Sequence, residues 1–248
     1  MLLTVWQMKK RVRYKRIILK LSGEIFGDAQ NRGLNFIEID KIAHYLHDLL
    51  EKYPIEIALV IGGGNLFRGR DGHHTAGNKA TLDHIGMLAT IMNGLALQEA
   101  IEKYGSITRV MSAFLIQAVC EPFVRRKAIR HLEKGRIVIL VGGTGNPFFT
   151  TDSAAALRAG ELECEILLKA TLVDGIYTRD PRLHRDAQLY KQVSYQEALE
   201  KRLKIMDNTA FAICQREQIP IIVFNMKDLA NIEKIIRGES VGTLVNGS

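Results

Sequence analysis

Six short apolar segments, separated by stretches with helical periodicity, constrain the fold of this chain more than any other feature. Each is rich in β-branched residues and has the length of a strand covered on both faces. The predicted strands are residues 17–21, 57–61, 108–112, 137–141, 166–170 and 221–225. The predicted helices are residues 37–52, 82–104, 115–134, 152–160, 195–201, 208–218 and 228–237. This alternation predicts an α/β fold: a three-layer α/β/α sandwich with a largely parallel central sheet.

The length and composition are those of a chain that buries a sizeable core. The chain has 248 residues, of which 47% are hydrophobic, and this excludes disorder as a global description. No internal repeat, low-complexity tract or Pro/Ser-rich linker marks a domain boundary. We therefore interpret residues 14–248 as a single domain and residues 1–13 as a frayed N-terminal extension.

The charge balance is moderately basic. There are 34 basic and 27 acidic residues, which gives a formal net charge of +7. A solvated basic face, or a patch that attracts small polyanions such as nucleotides, explains this excess better than a surface that reads duplex nucleic acid. No aromatic RNA-binding signature occurs, so a nucleic-acid partner is not expected.

The cysteines and the hydropathy pattern bear on location. Cys120, Cys164 and Cys214 are scattered and lack C-x-x-C spacing, which favours a reducing compartment over a disulfide or zinc framework. The apolar N-terminal segment is too short to span a bilayer, and no other segment approaches that length. We expect a cytoplasmic protein with no membrane partner.

Three of the predicted strands end in glycine-bearing turns. They read IILKLSGE, IALVIGGGNLFRG and RIVILVGGTGNPFFTTDSAA. Carboxyl ends of parallel strands share one edge of a sheet, so the three turns are expected to converge on one cleft. After the third turn, Thr151, Asp152 and Ser153 are expected to cap a helix whose N–H groups and dipole favour phosphate. One such turn alone could be a tight connection, but three together indicate a nucleotide-sized anion site.

Two cationic residues lie next to these turns. Lys20 interrupts an apolar strand, a costly place for a charge unless an anion or carboxylate meets it, although a lysine that snorkels at a strand end is the alternative. Arg68 follows GGGNLF and offers planar donors to phosphate oxygens. Neither a Walker A loop nor a G-x-G-x-x-G fingerprint is present. No metal-ligand spacing is found, so no metal site formed by protein ligands is predicted.

Taken in order, the motifs resemble those of the bacterial UMP kinases, a family of the amino acid kinase superfamily. The matching segments cover almost everything from Tyr14 to Leu244. They are KLSGE, VIGGGNLFRG, DHIGMLATIMNGLAL, GTGNPFFTTDSAA, LLKATLVDGIYTRDP, KIMDNTA and VFNM. The resemblance implies the amino acid kinase fold and transfer of the γ-phosphoryl group of ATP to UMP with Mg²⁺, a step of pyrimidine nucleotide biosynthesis.

The resemblance also implies roles for individual residues. It places UMP mainly in the N-terminal part of the domain and ATP mainly in the C-terminal part. The implied ATP contacts are Lys20, Leu21, Ser22, Gly23, Gly64, Arg68, Thr171, Tyr177 and Asp180. The implied UMP contacts are Gly63, Asp83, Thr144, Gly145, Asn146, Pro147, Phe148, Phe149, Thr150 and Thr151. The implied catalytic residues are Lys20, Arg68, Asp152 and Asp207.

Oligomeric state and regulation are implied in the same way. The resemblance implies a homohexamer that is activated by GTP and inhibited by UTP, and the apolar helix 82–104 is a candidate dimer surface. Lys79 departs from the pattern, because family members often have arginine four residues before the position of Asp83. Lysine keeps the charge but loses bidentate geometry, so nucleotide affinity or the effector response is in doubt at this position.

Two other functions are compatible with parts of the sequence. A kinase of the same superfamily that phosphorylates a carboxylate or carbamate would share the glycine turns but would need no uracil pocket. A regulatory or nucleic-acid-binding protein without turnover would use the basic charge, and its affinity for DNA would fall steeply as the salt concentration rises. The GTGNPFFTTD loop, together with Asp83, favours a nucleotide acceptor over a carboxylate or carbamate. The basic charge leaves the second alternative open, and DNA binding of that kind would survive Lys20→Ala.

Overall fold

A nine-stranded, mostly parallel sheet forms the centre of the computed structural model, which describes residues 10–68, 78–181, 183–203 and 206–247. The strands are β1 (Arg16–Leu21), β2 (Glu56–Ile61), β3 (Thr108–Ser112), β4 (Glu121–Pro122), β5 (Ile137–Val141), β6 (Ile166–Thr171), β7 (Gln192–Ser194), β8 (Ile221–Asn225) and β9 (Thr243–Asn246). Their order is β4-β3-β5-β2-β1-β6-β8-β9-β7. The β8–β9 pair is antiparallel, and the other strand pairs are parallel.

Helices cover both faces of the sheet. They are α1 (Phe36–Lys52), α2 (Lys79–Glu102), α3 (Arg125–Glu133), α4 (Thr151–Glu161), α5 (Tyr195–Glu200), α6 (Asn208–Arg216) and α7 (Ala230–Ile236), with a short 3₁₀ helix at Gly23–Phe26. Buried side chains of α1, α2 and α7 form one apolar core, and those of α3, α4, α5 and α6 form the other. The predicted three-layer α/β/α sandwich is confirmed.

Alternation along the strands decides which side chains reach each core. In β1, Ile17 and Leu19 belong to the core under α1 and α2, whereas Ile18 belongs to the core under α4. Successive strand residues point to opposite faces, so Lys20 shares the α4 face with Ile18. This placement sets up the cationic centre described below.

The six predicted strands are confirmed, and their ends differ from the prediction by no more than one residue. The predicted helix 115–134 is wrong over its first half, since α3 begins at Arg125. Pro122 is the reason: it disfavours helical geometry at the residue before it, and Glu121–Pro122 pairs with the end of β3 as β4. Pro122 indicates a break in this helix, although the apolar residues around it continue at helical spacing.

Three short strands were not predicted from the sequence. β4, β7 and β9 contain two to four residues each and lie at or near the edges of the sheet. Segments of this length hold too few residues to display a period of two. Their pairing depends on the neighbouring strand, as in the antiparallel contact of β9 with β8.

The N-terminal extension is described from residue 10 onward. The N–H of Lys10 donates to the carbonyl of Lys52, and the N–H of Arg13 donates to the carbonyl of Ile236 at 2.7 Å. Residues 1–9 lie outside the described residues, as do residues 69–77 of the polar loop that precedes α2. Across the described ranges, no helix combines the length and apolar character needed to cross a membrane.

Two isoleucines of α1 provide a test of the core assignment. Ile39 is 0% exposed and Ile37 is 69% exposed, although both lie in the first turns of the same helix. We expect Ile39→Ala to lower the free energy of unfolding by about 2–5 kcal/mol, because it leaves a cavity in the core. Ile37→Ala should change it by less than about 0.5 kcal/mol. Urea unfolding followed by circular dichroism measures both, and equal losses would contradict the assignment.

Candidate active site

The turns after β1 and β2 meet at the carboxyl edge of the sheet. A Cβ atom on Gly23 would lie 2.6 Å from the backbone N of Gly64 and 2.7 Å from the carbonyl O of Gly62. Side chains at Gly23 and Gly62 have no space between these two turns, which explains the glycines at these two positions. The expected convergence of the glycine turns is confirmed for this pair.

A buried cluster of two lysines and one aspartate lies beside these turns. Lys20 of β1 and Lys169 of β6 are partners in the parallel register, so both side chains reach the α4 face of the sheet. Asp152, in the first turn of α4, lies between them: Lys20 Nζ is 2.9 Å from Oδ1 and Lys169 Nζ is 2.6 Å from Oδ2. The two lysines and the aspartate together carry a net charge of +1.

Burial and charge act against each other in this cluster. Burial by itself raises the pKa of Asp152, but the positive charges of Lys20 and Lys169 outweigh it, so the pKa lies below its ordinary value. Burial also lowers the pKa of Lys169, although Asp152 opposes that shift. Asp152 is therefore a structural counter-ion for two cations, and its carboxylate is poorly suited to accept a further proton.

Asp207 is held beside the same cluster. It caps α6, accepting from the N–H of Ala210 at 2.9 Å, and its carboxylate accepts from the hydroxyls of Ser153 and Thr150. Burial lowers the pKa of Lys169, and the negative charge of Asp207 acts in the opposite direction. Asp207 thus ties the start of α6 to the start of α4.

The loop after β5 depends on unusual backbone conformations. Gly142, Gly143, Gly145 and Phe148 all have positive φ, between 59° and 84°. This geometry favours glycine, and Phe148 adopts it at a cost. The cap of α4 lies one residue earlier than predicted, because the hydroxyl of Thr150 accepts from the N–H groups of Asp152 and Ser153. Asp152 is consequently not used as the cap and pairs with the lysines.

An open cleft of about 210 Å³ lies between this loop, α2 and the turn after β2. We call it the acceptor cleft. The predicted site residues that line it are Gly63, Gly64, Asp83, Thr144, Asn146, Phe149, Thr150 and Thr151. Gly145 instead packs against Ala113, and Phe148 is 67% exposed. The predicted UMP contacts are therefore brought together in large part, but not as a continuous segment.

Asp83 links α2 to the loop after β5. Lys79 Nζ lies 2.8–2.9 Å from both carboxylate oxygens of Asp83, and the backbone N–H of Phe148 donates to Oδ2 at 2.7 Å. Lys79 Nζ also lies 5.5 Å from the centre of the Phe148 ring. Lys79, the residue that departs from the family pattern, thus takes part in holding the loop to α2.

Arg68 is held in a cavity next to the acceptor cleft. Its Nε–H donates to the carbonyl of Gly64 at 2.9 Å, and Nη2 lies 2.9 Å from Oε1 of Glu24. Arg68 lines a neighbouring cavity of about 410 Å³, which shares Gly64 and Phe67 with the acceptor cleft. The guanidinium thus connects the turn after β2 to the 3₁₀ helix after β1.

A second cavity, of about 530 Å³, opens beside Lys169 of the lysine–aspartate cluster. We call it the donor cavity. Thr171, Tyr177 and Asp180, the residues predicted to hold the adenosine end of ATP, all line it, together with Lys169. The Thr171 hydroxyl donates to the carbonyl of Val173 at 2.7 Å, so it also stabilises the turn after β6.

The remaining predicted ATP contacts follow β1. Leu21 is fully buried, so its side chain belongs to the core and its backbone alone is available at the turn. The Ser22 hydroxyl caps the 3₁₀ helix by accepting from the N–H of Glu24. Pro147 lies in the loop after β5 and is absent from the described lining of the acceptor cleft.

Lys169 is the main site residue that was not predicted from the sequence. It interrupts the apolar strand ILLKAT as Lys20 interrupts RIILKL. That shared feature could have identified it, because a charge in a strand covered on both faces needs a partner. In the described parts of the chain, no group of three or more His, Cys, Asp or Glu residues could hold a metal ion.

Comparisons with known proteins identify the family and the fold of this chain. The model of the amino acid kinase family matches residues 15–225. The UMP kinase structure from Bacillus anthracis is similar at 35% identity and a TM-score of 0.91, over 94% of this chain and 96% of that one. The UMP kinase from Ureaplasma parvum is similar at 35% identity and a TM-score of 0.87, over 94% and 99%.

A more distant relative shares the architecture. The uridylate kinase from Archaeoglobus fulgidus is similar at 26% identity and a TM-score of 0.69, over 92% of this chain and 99% of that one. The match to the family model alone spans most of the described chain. The chain therefore belongs to the amino acid kinase family, in the group that includes the bacterial UMP kinases.

Proposed function

We propose that this protein is a nucleoside monophosphate kinase that transfers the γ-phosphoryl group of ATP to UMP, giving UDP and ADP. Membership of the amino acid kinase family and 35% identity to two UMP kinases over 94% of the chain support this phosphotransferase activity. UMP occupies the acceptor cleft and ATP occupies the donor cavity. The product UDP belongs to pyrimidine nucleotide biosynthesis.

One observation carries the proposal: the lysine–aspartate cluster is connected to both cavities. Lys169 lines the donor cavity and pairs with Asp152 at 2.6 Å, and Thr151, next to Asp152 in the chain, lines the acceptor cleft. Two nucleotides bound in these cavities would direct their phosphates at the same cationic centre. That is the arrangement that in-line phosphoryl transfer requires.

The chemistry needs charge neutralisation more than a general base. The second pKa of a phosphate monoester is about 6, so the acceptor is already a nucleophilic oxyanion near neutral pH. The obstacle is repulsion between two polyanions. Lys20, Lys169 and the backbone N–H groups of the glycine turns offset that repulsion, and Arg68 adds a positive charge from the neighbouring cavity.

Mg²⁺ enters this reaction as part of the MgATP substrate. Mg²⁺ is commonly bound by substrate phosphates with one or two carboxylates. The carboxylate oxygens of Asp152 are engaged by lysines and those of Asp207 by hydroxyl and backbone donors. The described residues therefore suit a metal held by the phosphates, and the protein's part is to orient those phosphates.

Assembly, regulation and location belong to the same proposal. Ile85, Leu88 and Met92 expose apolar surface along α2, which supports its role as a subunit contact in a homohexamer. Activation by GTP and inhibition by UTP are proposed on the resemblance alone. The free thiols of Cys120, Cys164 and Cys214 support a cytoplasmic location.

A panel of acceptors tests the proposed reaction. ADP release, coupled to NADH oxidation, should be rapid with UMP and absent with N-acetylglutamate, because the acceptor cleft is built around a loop and a carboxylate suited to a nucleotide. CMP measures discrimination within pyrimidines. Turnover with N-acetylglutamate and none with UMP would show that the chain is a kinase of the carboxylate-phosphorylating type.

Removal of Lys20 tests the cationic centre. Lys20→Met keeps much of the apolar stem but removes the charge, and Lys169 still neutralises Asp152. We expect kcat to fall by about 100-fold or more. A loss of this size follows the removal of one preorganised hydrogen-bond donor that stabilises the transition state in other enzymes. Lys15→Met removes an exposed lysine just before the same strand and should leave kcat unchanged. Near-wild-type kcat in Lys20→Met would exclude Lys20 from the transfer step.

Substitution of Asp83 tests the acceptor cleft. Asp83→Asn keeps an acceptor for the N–H of Phe148 but removes the negative charge that is proposed to accept from the UMP ribose. A hydrogen bond to a charged group contributes about 1.5–3 kcal/mol, so the KM for UMP should rise about tenfold or more. The KM for ATP should stay the same. Asp48→Asn, on α1, is the control and should leave the KM for UMP unchanged. An unchanged KM for UMP in Asp83→Asn would place the acceptor elsewhere.

A further inference from the structure

A buried pair of asparagines lies beside the acceptor cleft. Asn93 is 0% exposed in the middle of α2, and Asn65, which ends the GGGN turn, is 4% exposed. Asn65 Nδ2 donates to Oδ1 of Asn93 at 3.0 Å, and Asn93 Nδ2 donates back to Oδ1 of Asn65 at 2.7 Å. Each carboxamide therefore satisfies the other.

Each amide nitrogen of the pair also donates to a backbone carbonyl. Asn93 Nδ2 donates to the carbonyl of Gly62 at 2.7 Å, and Asn65 Nδ2 donates to the carbonyl of Gly33 at 2.7 Å. The N–H of Gly33 in turn donates to the carbonyl of Asn65 at 3.0 Å. The pair thus connects α2, the glycine turn after β2 and the loop before α1.

The glycine turn that the pair holds has little space in which to move. A Cβ on Gly62 would lie 2.8 Å from the backbone N of Gly23. A Cβ on Gly63 would lie 2.8 Å from both the Cβ of Ala89 and the carbonyl of Gly86. The turn is therefore confined between the end of β1 and the surface of α2. A rotation of the Gly62 carbonyl would redirect the N–H group of Gly63, which belongs to the same planar peptide unit and lines the acceptor cleft.

The same helix holds the opposite wall of the cleft with a second buried polar residue. The hydroxyl of Thr90, one helical turn before Asn93, accepts from the N–H of Gly142 at 2.8 Å, in the turn after β5. Residues three apart share a face of a helix. One stripe of α2 therefore sets the positions of both turns between which the acceptor phosphate would bind.

A contribution to stability alone does not account for the asparagine pair. Replacement of both partners of a buried hydrogen bond by apolar groups of similar shape is often close to neutral, because burial of the polar atoms offsets what the bonds contribute. A fully satisfied buried polar network, in contrast, selects one arrangement of the segments it joins. The pair is therefore better suited to fixing geometry than to adding stability.

We propose that Asn93, acting with Asn65, is a positioning residue that fixes the Gly62–Gly64 turn for phosphoryl transfer. The inference rests on the proposed function and adds residues that are not part of the implied binding or catalytic sets. Neither asparagine lines the acceptor cleft, so each acts through the backbone of the turn.

Kinetics of Asn93→Ala, expressed per folded molecule, test this role. We expect kcat to fall about tenfold or more, because misplacement of a binding turn by a fraction of an ångström to one ångström weakens alignment. The KM values for UMP and ATP should both rise about threefold or more, because Gly63 and Gly64 line the acceptor cleft and Gly64 is also an implied ATP contact. A residue that affects stability alone would lower the folded fraction and leave both KM values unchanged.

Two further variants make the test decisive. Asn65→Ala removes the side-chain bond to the carbonyl of Gly33 but keeps the backbone bond between these two residues and the bond from Asn93 to Gly62. Its kinetic loss should therefore lie between wild type and Asn93→Ala, and if Asn93→Ala does not fold, this variant decides. Thr108→Val removes another fully buried, hydrogen-bonded group, at the amino end of β3 and away from the carboxyl ends of the strands where the site lies. This variant should leave kcat and KM unchanged once corrected for folding.

The outcomes separate this inference from the proposed function. Wild-type turnover of UMP, combined with unchanged kcat and KM in both asparagine variants, would overturn the positioning role alone. Equal kinetic losses in Thr108→Val would also overturn it, because any buried polar deletion would then have the same effect. An absence of UMP turnover in the unsubstituted protein would overturn the proposed function, and this inference with it.

Discussion

The ion pairs of Asp152 with Lys20 and Lys169 are the interaction on which the rest of the structure depends. Two lysines side by side on neighbouring parallel strands repel each other, and burial makes that repulsion more costly. Asp152 offsets the repulsion because the first turn of α4 brings its carboxylate within 2.9 Å of both ammonium groups. The dipole of α4 also favours an acidic residue in that turn. The register of β1 with β6 and the start of α4 must therefore be correct together.

The same ion pairs also make the site suitable for binding anions. The cluster keeps a net positive charge at the carboxyl edge of the sheet, where the glycine turns present backbone N–H groups. Asp207 is held by Ser153 and the N–H of Ala210, so its charge stays close to Lys169 without displacing Asp152. A fixed array of this kind does not need to reorganise when charge shifts during transfer, and such preorganisation is a large part of electrostatic catalysis.

Much of this arrangement could be predicted from the sequence, for a physical reason. The six central strands are apolar and covered on both faces, so their composition identifies them, and parallel pairing then places their carboxyl-end turns at one edge. Lys20 could be identified because it breaks such a strand. The short strand β4 and the start of α3 could not be obtained from periodicity, since their positions depend on pairing with β3 and on Pro122. The pairing of Lys169 with Asp152 also depends on strand register, which local patterns do not encode.

The polar residues of α2 have a role in holding neighbouring loops that helix periodicity alone does not reveal. Its sequence, KATLDHIGMLATIMNGLALQEAIE, is apolar on much of its surface, and Thr90 and Asn93 stand out only because they are buried. Each also bonds the backbone of a neighbouring turn: the hydroxyl of Thr90 accepts from the N–H of Gly142, and Asn93 donates to the carbonyl of Gly62. The two apolar cores on either side of the sheet supply stability, which leaves α2 available as a rigid support for loops. The loops that form the walls of the cleft are then held in fixed positions, because each of them is hydrogen-bonded to the same face of α2.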